Sequence, residues 1–142
     1  MTQMAMGMMG FWITHPRAKH PLIDEVDRDF VFLLNAYDID PGSYTPKIMT
    51  MLDFNLWTWN SRVFPGIDNM VARTGERVRI RLVNLGMDHH PIHLHGTQFV
   101  VTGSEGGRQP ETTWAPGNTV VVGVAQAKDI EFVMKKPGDW ML

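Results

Sequence analysis

At 142 residues the chain is long enough for one domain with a real core. Its net charge of -2 gives no sign of a nucleic-acid or membrane-surface partner, and with no cysteine it has neither a disulfide nor a Cys-ligated zinc or iron–sulfur site. No run of about 18 apolar residues marks a membrane-spanning helix, and no basic-then-apolar leader is visible.

Five Trp and eleven Met are high counts for this length. Many of the methionines lie in residues 1–10 (MTQMAMGMMG), which read as a flexible, hydrophobic lead-in that packs on a neighbour. Thioethers also select Cu(I), so the same stretch is a candidate soft-ligand patch. Residues 15–21 (HPRAKHP) form a linker, because two X-Pro bonds favour extended backbone. His15 and His20 match no ligand pattern and read as loop histidines.

Residues 29–36 (DFVFLLNA) are aromatic and β-branched and predict the first core strand. Residues 44–51 read as a loop with some helical character, and 54–59 as a strand with large residues on both faces. A turn at 60–62 leads through VFPG to a short strand at 70–73. Residues 77–84 (RVRIRLVN) alternate cleanly, which places Val78, Ile80 and Leu82 in the core. Arg77, Arg79 and Arg81 then form a solvated strand face. Residues 92–102 are expected to be one extended segment, followed by a polar, Gly-rich loop at 103–110 with no phosphate-binding pattern. A turn at 114–118, an apolar strand at 119–124 and an alternating strand at 128–135 follow. Another turn at 137–139 opens a last strand at Trp140.

Four of the six histidines fall within DHHPIHLHG (residues 88–96). Side chains alternate along a strand, so His93 and His95 point the same way, with Cβ atoms about 7 Å apart. His90, at an odd spacing from His93, points to the other side or sits on the bend that Pro91 imposes. Geometry alone therefore suggests two metal positions, one served by His93 and His95 and another by His90. Imidazole suits copper, zinc, iron and nickel. His89 is a further candidate, although only one of two adjacent histidines normally serves a given site. Three imidazoles plus water is a catalytic zinc pattern, but the opposed parity of His90 speaks against three ligands on one ion.

HPIHLHG (residues 90–96) resembles the H-P-x-H-L-H-G signature of the multicopper oxidases, the laccases and their relatives. The resemblance implies that His90 ligates a type 1 (blue) copper, His93 a type 2 copper and His95 a type 3 copper of a trinuclear cluster. NSRVFPG (60–66) resembles a hairpin of the same family, and GMMGFWI (7–13) resembles the close of a cupredoxin domain. On that match Met4 is the position of an axial methionine and residues 11–13 are the last strand of an earlier domain. PGDWML (137–142) resembles the run that leads, in the family, into the H-C-H segment bearing the remaining ligands and the blue-copper Cys. Neither that segment nor any Cys is contained in these residues, so a blue site lacks its thiolate here.

The expected fold is all-β, a Greek-key β-sandwich of the cupredoxin type. Residues 1–21 are expected to be the tail of a preceding cupredoxin domain plus linker, and residues 22–142 a cupredoxin-like domain shortened at its last strand. The resemblance implies copper as cofactor. It also implies oxidation of a small reducing substrate, phenolic or a metal ion, coupled to reduction of O2 to water. The cluster needs H-x-H pairs from two domains, so a second cupredoxin domain or a homo-oligomer is the expected partner. Whether the chain acts as an enzyme alone is left open by the missing ligands. The competing expectation is a non-catalytic, self-assembling module with a His-only interfacial copper or zinc site. Enzymes of this type are generally exported, to the periplasm or outside the cell, though no residue here encodes that.

Overall fold

The structure is a computed structural model that describes residues 2–142. Its helices are single turns, α1 (Thr2–Ala5) and α2 (Pro21–Asp24), with one 3-10 turn at Glu111–Thr113. The rest of the regular structure is β. β1 (Arg28–Tyr37) pairs antiparallel with β2 (Leu56–Trp59) and parallel with β3 (Arg77–Asn84). β3 pairs antiparallel with β9 (Ala127–Val133), and β9 with β5 (Phe99–Ser104). β5 also carries β6 (Gly107–Arg108) and β7 (Pro116–Gly117). A second sheet consists of β4 (His90–His93) and β8 (Thr119–Val122).

One face of the large sheet is apolar because the alternation in β1, β3 and β9 puts Phe32, Leu34, Val78, Ile80, Leu82, Ile130 and Phe132 on it. Ile92 and Val122 of the small sheet, with Leu94, close over that face, and Phe99 of β5 joins the same buried cluster. Two unequal sheets enclosing one core, with neighbours far apart in sequence, make the expected all-β sandwich. The strand at 29–36 and the alternation at 77–84 and 128–135 appear as β1, β3 and β9.

Several expectations need correction. Residues 92–102 are not one strand: β4 ends at His93, the chain bends, and β5 starts at Phe99 in the other sheet. The bend is centred on Gly96, whose φ of +77° is open to glycine and strained for other residues. Residues 70–73 and 11–13 carry no ladder, and Trp12 is 94% exposed rather than set in a strand. The apolar strand expected at 119–124 stops at Val122. The last three residues form no strand, but the Met141 carbonyl accepts the His95 N–H at 2.9 Å. Met1 of the lead-in lies outside the described residues; further along, Met9 Sδ accepts from Asn35 Nδ2 of β1 at 3.5 Å.

The arginine row is the largest departure. Arg79 is 2% exposed and sits beside Glu131, which is equally buried. Register explains it: Arg79 of β3 lies between Asp29 of β1 and Glu131 of β9, and Arg81 faces Asp129. Glu131 accepts from Arg77 at 2.6 Å, Arg79 at 2.9 Å and the Thr102 hydroxyl at 3.0 Å, and also from Arg108. The expected polar loop at 103–110 is a β5–β6 hairpin that lays Arg108 on this face, its guanidinium 4.7 Å from the Trp114 ring centre. Burial by itself raises the Glu131 pKa, but the bonds and charges of Arg108 and Arg79 outweigh it and bring it to about 2.

Candidate metal centre

Every candidate histidine lies on β4 or at its two ends. β4 follows β3 through a tight loop that the buried side chain of Asn84 ties together. Its Nδ2 reaches the carbonyls of Asp88 (2.7 Å) and Gly123 (3.0 Å), and its Oδ1 accepts the Gly86 N–H at 2.9 Å. One amide thus joins the approach to His89 to the end of β8. Asp88 is held from the other side by the Trp57 indole N–H at 3.0 Å.

His93 and His95 come together. Their ring centres are 4.9 Å apart and the planes cross at 82°, edge to face. His95 lies beyond the strand end, so backbone alternation alone does not place it; the bend at Gly96 and the Met141 carbonyl do. Gly96 has a second requirement, because a Cβ there would lie 2.6 Å from Trp140 Cδ2. The pair lines an open cavity of about 440 Å³ together with Asn118, Lys135 and Lys136. His93 Nδ1 is 2.7 Å from the Thr119 hydroxyl, which leaves Nε2 as the nitrogen able to ligate a metal.

His90 heads β4 and is half-buried. Its Nε2 is buried with no hydrogen-bond partner among the described residues. Burial pushes its pKa below the ordinary value, and the charge of Asp88 only partly opposes that. A neutral imidazole with an orphaned nitrogen is a suitable ligand, and the orphan is otherwise a cost. His89 is exposed, and its Nδ1 accepts the Val124 N–H at 3.3 Å. Met4 lies in α1 at 39% exposure, beside the more exposed Met6 and Met8.

Among the described residues, no group of three or more His, Cys, Asp or Glu side chains converges on a metal position. The donor set of His93 and His95 fits copper or another imidazole-binding metal as part of a site, with further ligands needed to complete it. Sequence reasoning missed Asn84, Asn118 and Thr119. Thr119 lies opposite His93 in the β4–β8 ladder, and nothing local to the motif marks it.

The multicopper oxidase family profile matches residues 40–142. A probable nitrite reductase–hydroxylamine oxidoreductase fusion protein of Kuenenia stuttgartiensis is 28% identical over 94 residues, covering 66% of this chain and 11% of its own length. Human hephaestin is 26% identical over 137 residues, covering 83% of this chain and 11% of its own. The crystal structure of a blue copper oxidase from Nitrosomonas europaea superposes with a TM-score of 0.71 at 24% identity, over 88% of this chain and 39% of that one. The chain therefore spans about a tenth of the length of these two curated relatives, and the likeness to the solved structure is one of fold.

Proposed function

Since the chain belongs to the multicopper oxidase family, we propose that His93 and His95 are one half of a multicopper cluster and that His90 serves a separate copper. The domain is an all-β, cupredoxin-type copper oxidase domain, and copper is the cofactor of its family. The observation that carries the proposal is the edge-to-face pair of His93 and His95 on an open cavity. In a complete enzyme of this family, copper would supply one-electron redox chemistry, by which a small reducing substrate, phenolic or a metal ion, is oxidised and O2 is reduced to water.

The chain's own residues hold and orient. β4 and the Gly96 bend set the two rings at one place, and Thr119 holds one of them. His90 lies half-buried at the other end of the strand, which supports its assignment to a different centre. Two imidazoles leave coordination positions open for a second pair, offered by another cupredoxin domain or a second copy of this chain.

Metal analysis of the copper-loaded protein, together with its solution mass, tests this. Specific copper that His93→Ala or His95→Ala abolishes, and that His90→Ala leaves at the pair, supports the assignment. One copper for every two or three chains, with a matching oligomer, favours the self-assembled module; zinc outcompeting copper favours a zinc site. No specific copper in the unaltered protein contradicts the proposal.

A further inference from the structure

Thr119 stands directly across from His93 in the β4–β8 ladder. Its hydroxyl is 2.7 Å from His93 Nδ1, and it donates to Asn118 Oδ1 at 3.2 Å. A hydroxyl has one proton to give and lone pairs to accept with. With that proton committed to Asn118, Oγ1 faces His93 as an acceptor, and Nδ1 carries the N–H. A neutral imidazole has one protonated nitrogen, so Nε2 keeps the lone pair. Asn118 is itself anchored: its carbonyl accepts the N–H of Leu94, the residue between the two histidines, at 3.0 Å. The same two residues thus hold both the backbone and the ring.

We propose that Thr119 and Asn118 are positioning residues that lock His93 in its Nδ1–H tautomer and hold Nε2 ready as the ligating nitrogen at the cavity shared with His95. The proposal rests on the reading of His93 as a copper ligand, but the tautomer can be measured without any metal. A ligand held in the right tautomer and orientation needs no rearrangement on binding, which is how partners behind a ligating histidine raise its affinity. The direction of the relay matters. If Asn118 presented its amide nitrogen instead, Thr119 would donate to Nδ1, and the proton would move to Nε2 and block ligation. Asn118→Asp separates the two cases, because a carboxylate only accepts.

The test combines long-range ¹⁵N–¹H NMR of the metal-free protein with Cu(II) titration, using Thr119→Val, Thr119→Ser and Asn118→Asp. The His93 signals are assigned by their loss in His93→Gln. The unaltered protein, Thr119→Ser and Asn118→Asp are expected to show His93 protonated at Nδ1. Thr119→Val is expected to shift His93 toward the Nε2–H form and to weaken Cu(II) binding roughly 10–100-fold. A proton on Nε2 in the unaltered protein, or a tautomer unmoved by Thr119→Val, overturns the proposal. A tautomer that moves as expected in a protein that binds no Cu(II) supports the locking role of Thr119 and contradicts the copper reading instead.

Discussion

At the scale of single residues, Gly96 carries two demands at once: a φ of +77°, and room for the Trp140 ring against its Cα. Gly96→Ala is expected to destabilise the protein by about 1–3 kcal/mol from the backbone conformation alone, with more from displacing the indole. Trp140 is 40% exposed, so its ring has space to move. In a Trp140→Ala background the same substitution should cost only the backbone part; denaturant melts of the four proteins measure the difference. An equal cost in both backgrounds contradicts the contact. The HPIHLHG run stood out in the sequence as a candidate metal motif because imidazoles at such spacing are rarely accidental. The pairing of His93 and His95 was reached by strand alternation, yet His95 lies past the strand, and a bend places it. Thr119 and Asn84 were not legible, since each acts across a ladder or loop whose register appears only in the folded chain.

The element scale is where the charge pattern was misread. β3 alternates as its sequence implies, and Val78, Ile80 and Leu82 do lie in the core. The other face of a strand is solvated only if nothing covers it, and here the β5–β6 hairpin and Trp114 do. The acids that partner the row sit on β1 and β9, about fifty residues away in either direction, so local reading had no sight of them. Glu131→Gln is expected to destabilise the fold by about 3 kcal/mol, the lower end for breaking a buried ion pair, since Arg77 and Arg108 reach the surface. The pH dependence follows from the lowered pKa. The carboxylate's stabilisation is fully present above its unfolded value of about 4.5 and is lost as pH falls through about 2. The stability gap between the unaltered protein and Glu131→Gln should therefore be widest at neutral pH and shrink below about 4.5. A gap independent of pH contradicts the paired carboxylate.

For the whole molecule, the sandwich puts a short two-stranded sheet on a large one and mounts every candidate ligand of the motif on the short sheet or its ends. The fold class was legible from many short alternating segments between turns. The division of residues 92–102 between two sheets was not, because a left-handed glycine leaves no periodic trace. Copper that binds the folded but not the unfolded protein should raise Tm, by an amount equivalent to about 2.7 kcal/mol at a hundredfold excess over Kd. Scanning calorimetry with and without Cu(II) measures it, and the rise should vanish in His93→Ala/His95→Ala. The most direct test of the central claim is EPR of the Cu(II)-loaded protein, recorded with ¹⁵N-labelled histidine. A stoichiometric, non-blue Cu(II) signal with hyperfine coupling to imidazole nitrogen, lost in His93→Ala/His95→Ala, is the predicted result. A signal that survives unchanged in that variant, or no specific Cu(II) at all, contradicts the assignment of these two histidines as a copper half-site.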